Sequence, residues 1–189
     1  MTQTAWIVAA VVIVAALIIV AIFWSRRRRS EHLRDRFGPE YDRAVDAKGD
    51  RAKAEADLAQ REKRVEKLDI RPLEPGKRRE FVSRWEGVQA RFVDDPPRAV
   101  AFADALLGDV MKARGYPVTD FDQRASDISV DHPVVVEHYH KGHDIALRQE
   151  RGEASTEDLR QALIHYRALF DNLVGAEALQ EREPEPAHH

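Results

Sequence analysis

Histidine clusters once in this sequence. Glu137, His138, His140, His143 and Asp144 fall within eight positions. On a helix, Glu137, His140 and Asp144 share a face, and His143 sits beside His140 at i+3. The Glu-x-x-His spacing of Glu137 and His140 recurs in di-iron carboxylate bundles, where two copies and two further glutamates complete the site. This chain carries one copy, so a partner chain would have to supply the second. The pattern leaves two readings open. One is a metal site on Glu137, His140 and His143, serving a metal-dependent enzyme or a metal sensor. The other is a polar helix face with solvated histidines. A second polar group runs from Arg114 to His132 through Asp120, Asp122, Arg124, Asp127 and Asp131. It suits an internal network of ion pairs and helix caps, or the lining of a groove for a partner.

Other chemistry is excluded by residue type or spacing. The chain has no cysteine, which removes disulfides, Cys-ligated zinc and thiol nucleophiles. Gly76-Lys77 does not make a phosphate-binding loop, because Arg71 stands at the first glycine position and Arg78 replaces the Ser or Thr. HExxH, GxGxxG and GxSxG are absent. No catalytic residue and no cofactor is implied.

The elements that must position these residues read as helices. Phe81, Trp85, Val88 and Phe92 recur at spacings of four, three and four, which is one apolar helix face. Asp95-Pro96-Pro97 starts the next helix, which runs to Arg114 and closes at Gly115. Thr119-Asp120-Phe121-Asp122 is a cap signature, and a short helix ends near Asp131. Ile128 to Asp131 also alternates like a strand. Asp131-His132-Pro133 opens a helix that reaches about Arg151. Ser155-Thr156-Glu157-Asp158 caps the last, with Leu159, Leu163, Tyr166, Phe170 and Leu173 on one face and Gly175 as its stop. Trp85, Phe92, Phe102, Tyr116, Phe121, Tyr139, Tyr166 and Phe170 are its expected aromatic core. The bundle domain is placed at 77–175, with an acidic, disordered tail at 176–189.

Upstream, Gly38-Pro39 interrupts a polar stretch, and a charged helix is expected from there to about Asp69. It reads as a solvated stalk, or as a weak coiled coil that pairs two chains, with stalk and basic segment together covering 25–69. Arg71-Pro72-Leu73-Glu74-Pro75-Gly76 supplies a linker at 70–76.

Ala5 to Trp24 is an unbroken apolar run. At 1.5 Å per residue its length suits a hydrocarbon core of about 30 Å. Trp6 and Trp24 stand at its ends, where amphipathic rings favour the headgroup layers. The expectation is a single transmembrane helix at 5–24 after an extracytoplasmic head at 1–4. Arg26, Arg27, Arg28 and Arg29 follow it and place the C-terminal domain in the cytoplasm, as positive charge next to a span does. They can also contact anionic headgroups.

The net charge of −3 is unevenly spread: residues 1–24 carry none, the four arginines carry +4, and residues 30–189 therefore carry −7. An acidic body lacks the basic face that nucleic-acid binding needs.

The phrases SEHLRDRFGPEYDRAV (30–45), EKLDIRPL (66–73), VQARFVDDP (88–96), RGYPVTDFDQRASDISVDHPVVVEHY (114–139) and RGEASTEDLRQALIHYRALFDNL (151–173) resemble a family of small, uncharacterised bacterial membrane proteins. The likeness covers most of the chain after the apolar run. It implies a bacterial inner-membrane protein and supplies no catalytic residue, ligand or partner. The expected architecture is thus all-α: a single N-terminal transmembrane helix, a charged helical stalk and a small C-terminal helical bundle. The expected function is a membrane-tethered cytoplasmic interaction module, with the metal-dependent enzyme or sensor as the alternative. Its expected partners are the lipid bilayer, a cytoplasmic protein, and a second copy through the stalk.

Overall fold

The computed structural model describes residues 2–117 and 119–175, with the backbone alone for residues 2–12 and Ala15. Among the described residues there are eight helices and no strand. They divide into two compact units, Met1–Leu58 and Ala59–His189.

In the first unit, α1 runs from Thr2 to Phe37. No proline or glycine interrupts it before Gly38, where φ is 48° and Pro39 opens α2 (Pro39–Lys48). Gly49 then adopts a left-handed conformation, and the Asp50 carboxylate accepts from the Lys53 backbone N–H at 3.0 Å. That stop followed by a cap breaks the chain. The single helix expected from Pro39 to about Asp69 is therefore two, α2 and α3 (Arg51–Val65), and the boundary between the units falls within α3. Leu33, Phe37, Tyr41, Ala44, Ala54 and Leu58 are buried, so this part is not the solvated rod the sequence suggested.

The transmembrane helix expected at 5–24 requires correction. Among the described residues, no helix is long and apolar enough to cross a membrane. The part of the run with described side chains begins at Ile13 and ends at Trp24. The side chains of the head at 1–4 and of Trp6, and the tail at 176–189, lie outside the described residues.

In the second unit, the C-terminal part of α3 is followed by α4 (Pro75–Asp94), α5 (Pro96–Arg114), α6 (Phe121–Asp131), α7 (Pro133–Glu150) and α8 (Thr156–Val174). Helix α5 is the centre: Ala99, Val100, Ala103, Leu106, Leu107, Val110 and Met111 are buried, and α4, α7 and α8 pack on it. The caps act where the sequence placed them. Asp95 accepts from Arg98, Asp120 accepts from Gln123, and Ser155 and Asp158 form a reciprocal capping box. Ile128 to Asp131 is helical. The core is anchored by Trp85 stacked on Phe170, with centroids 4.7 Å apart. Phe102, expected in that core, is 47% exposed, and the Arg91 guanidinium covers its ring at 4.5 Å.

The linker is fastened rather than free. The Arg71 N–H donates to the Arg114 carbonyl at 2.8 Å, and Leu73 is buried. At Gly115, φ is 100° and a Cβ would stand 2.2 Å from the Asp69 carbonyl oxygen. Only glycine lets the two segments approach so closely.

Candidate functional site

The histidine segment lies on α7, as its spacing required, but its side chains diverge. Glu137 meets Lys141 one turn on, at 2.6 Å. Hydrogen bonding to that ammonium, aided by its charge, holds the Glu137 carboxyl below the usual range. His143 stacks on Phe121 with centroids 3.6 Å apart and planes 8° from parallel. His140 meets the same ring edge-on at 5.5 Å. No group of three His, Cys, Asp or Glu among the described residues could hold a metal ion. His138 instead faces His165 of α8, with Nδ1 atoms 3.0 Å apart, so one ring must donate and the other accept. Burial, then the charges of His138 and Lys141, lower the His165 pKa.

The polar run from Arg114 to His132 is a structural network. Arg114 donates to His132 Nε2 and to the Leu173 carbonyl, both at 3.3 Å. An arginine has only donors to offer, so Nε2 accepts. Burial first, and Arg114 second, lower the His132 pKa. The Tyr116 hydroxyl donates to Asp131 at 3.0 Å. Asp127 is fully buried; its Oδ1 accepts from Arg64 Nε at 2.7 Å and from Gln123 at 2.9 Å. Arg61 donates to the buried Ser129 hydroxyl at 3.4 Å. These bonds fasten the end of α3 to α6.

A cleft of about 360 Å³ opens where α5, α7 and α8 converge. Val100, Ala101 and Leu147 form apolar wall, and Asp104, His143 and Tyr166 supply polar groups. Asp104 accepts from the Tyr139 hydroxyl and from Arg124, each at 3.3 Å. The Tyr166 hydroxyl is buried with no hydrogen-bond partner. Gly142 makes room for its ring, since a Cβ there would stand 2.6 Å from Tyr166 Cε1. Burial, then the Asp104 carboxylate, push both phenols far above their usual range. They are neutral at neutral pH and suited to hydrogen bonding rather than proton transfer. Sequence analysis assigned Tyr139 and Tyr166 to the core and missed Asp104. Their convergence from three helices leaves no local signal.

In the first unit, apolar side chains face outward. Ile13, Val14, Leu17, Ile18, Ile19, Val20, Ile22, Phe23 and Trp24 are each about half exposed or more. The arginines follow at once: Arg28 lies over the Trp24 ring at 5.3 Å, and Arg27 pairs with Glu31 at 3.0 Å.

These features define an all-helical protein with an uncovered apolar segment and a compact aromatic-cored bundle. No family model, no curated protein and no solved structure matches the chain.

Proposed function

We propose that this protein is a helical interaction module tethered to a lipid bilayer through the apolar segment of α1. The observation that carries this reading is the exposed row from Ile13 to Trp24. Soluble surfaces rarely leave so many contiguous large apolar side chains in water, and such patches mark contact with a partner or a membrane. The basic run at Arg26 to Arg29 favours an anionic surface, with each guanidinium worth about 1 kcal/mol near it. That preference suits the cytoplasmic leaflet, and the resemblance to small bacterial membrane proteins agrees with it. Insertion into the interface is enough for this role, and crossing of the bilayer is no part of it. The bundle supplies the interaction surface. Its cleft, with an apolar wall and the part-exposed Asp104 carboxylate, is suited to receive a cytoplasmic protein's side chain.

The full chain mixed with phosphatidylcholine vesicles is expected to float with them in a density gradient. The double variant Ile18→Glu, Ile19→Glu is expected to stay at the bottom, because each carboxylate must be desolvated to enter the interface. A wild-type chain that stays at the bottom, or a double variant that floats equally well, would sink the tether.

A further inference from the structure

The arginines beside the apolar segment belong to a built basin. It encloses about 540 Å³ within the first unit and is lined from α1 by Phe23, Arg26, Arg27, Ser30 and Arg34, and from α3 by Arg51. Glu31 and Glu55 complete the wall. Residues 26, 27, 30 and 34 recur at helical spacing, so α1 presents them on one face. Arg51 comes from another helix and is brought there by the break at Gly49.

The floor of the basin is ordered. The Ser30 hydroxyl, 8% exposed, is held between the Arg51 guanidinium, which donates to it, and the Glu55 carboxylate, which accepts from it. Glu55 Oε1 also accepts from Tyr41 at 2.7 Å and from Arg51 Nε at 2.9 Å. Glu31 is engaged by Arg27. Four guanidinium groups thus meet two carboxylates, leaving a surplus of two positive charges. Planar guanidinium forks match phosphate oxygens in pairs. A phosphate monoester carries about −1.5 to −2 near neutral pH, which offsets the surplus, whereas a phosphodiester carries a single charge. Phe23 at the rim, with Ile22 and Ile19 before it, supplies apolar surface where acyl chains would lie.

We propose that this basin binds the phosphate monoester headgroup of an anionic lipid of the phosphatidic acid type. The proposal rests on the lipid tether above and gives it a headgroup preference.

The test compares full-chain binding to three vesicle types: phosphatidylcholine alone, phosphatidylcholine with phosphatidic acid, and phosphatidylcholine with phosphatidylglycerol at equal surface charge. Phosphatidic acid is expected to bind about tenfold tighter than charge-matched phosphatidylglycerol, the factor one charge-assisted hydrogen bond supplies. Arg51→Gln and Arg26→Gln are each expected to erase that preference. Arg43→Gln and Arg29→Gln, which remove the same charge outside the basin, are expected to keep it. Arg26 tests the site without touching the Ser30–Glu55 floor, so a folding defect in Arg51→Gln cannot decide the matter. Equal affinity for the two anionic vesicles, or equal losses in all four variants, overturns the proposal and leaves only diffuse charge attraction. Soluble glycerol phosphate at the same concentration as the lipid is expected to leave the preference in place. If it abolishes the preference, the basin takes a free phosphate and the lipid assignment falls. Failure to bind phosphatidylcholine at all overturns the tether itself, a result distinct from loss of headgroup preference.

Discussion

The two units differ in what they leave exposed. The second buries its central aromatics: Trp85, Tyr139, Tyr166 and Phe170 are each at most 1% exposed. Among the described residues, the first leaves nine large apolar side chains in the open, and beside a small buried cluster of Leu33, Phe37, Tyr41 and Leu58 it gathers a polar knot of Ser30, Tyr41, Arg51 and Glu55. Apolar packing is non-directional and roughly proportional to area, so the second unit has a core that can stabilise it alone. A polar knot contributes little net free energy but fixes geometry, because each hydrogen bond replaces one with water. The first unit is thus arranged to present groups, and the second to hold a shape.

The largest expected effect tests that contrast at the centre of the second unit. Trp85→Ala removes the ring stacked on Phe170 and should cost about 3–5 kcal/mol, as large-to-small changes in tight cores do. The indole N–H has no hydrogen-bond partner, so packing and the overlying Arg167 at 5.6 Å account for the loss. Urea unfolding followed by circular dichroism measures it. A cost below about 0.5 kcal/mol, the range of ordinary surface changes, would show that the second unit is not held by this core.

The next effect separates the units by pH. The His132 and His165 pKa values lie below the ordinary 6.5 in the folded state. A group depressed in this way binds more protons when unfolded, so its stability is present above pH 6.5 and is lost as pH falls through the folded value. At Glu55, burial is the largest single influence and acts upward. Hydrogen bonds from Ser30, Tyr41 and Arg51 outweigh it and hold the carboxyl below the ordinary 4.5. Its contribution is therefore intact through the histidine range and is lost only as pH falls below 4.5. Glu157 and Asp158 titrate lower still, at about 2. Hydrogen exchange read residue by residue should show α8 weakening as pH falls below 6.5 while α2 holds until pH falls below 4.5. His132→Gln keeps an acceptor for Arg114 and should flatten that decline. Parallel weakening of both units over this interval would contradict the separation.

What the sequence revealed follows the same division. Helices α4 to α8 were legible because each carries an apolar stripe and starts at a capping side chain or a proline, as at Ser155 and Asp158 with Leu159, Tyr166 and Phe170. The break at Gly49 was missed because residues 39–69 are uniformly helix-favouring, and the stop depends on one glycine followed by one aspartate. Arg64 and Asp127 lie 63 positions apart, a pairing that no local pattern encodes. Phe102 shares a helix with core residues but falls on the outer face, where Arg91 covers it. The histidines showed the converse. Their spacing gave the right helix and face, but Lys141 and Phe121 take the side chains that a metal would have needed.

The smallest expected effect concerns a buried polar atom within the second unit's aromatic core. Tyr166 is fully buried, yet its hydroxyl lacks a hydrogen-bond partner. An unmade buried hydrogen bond carries a desolvation cost of about 1–3 kcal/mol. Tyr166→Phe removes the hydroxyl and keeps the ring, so its packing against Gly142 and the tilted contact with Tyr139 at 6.1 Å survive. Most tyrosine-to-phenylalanine changes in a core destabilise. Here the expected change lies between zero and about 1 kcal/mol of added stability, since only an unsatisfied group is lost. Thermal unfolding of the two chains measures it directly. A loss above about 1 kcal/mol, the net value of a satisfied hydrogen bond, would show that the hydroxyl is bonded in the folded protein.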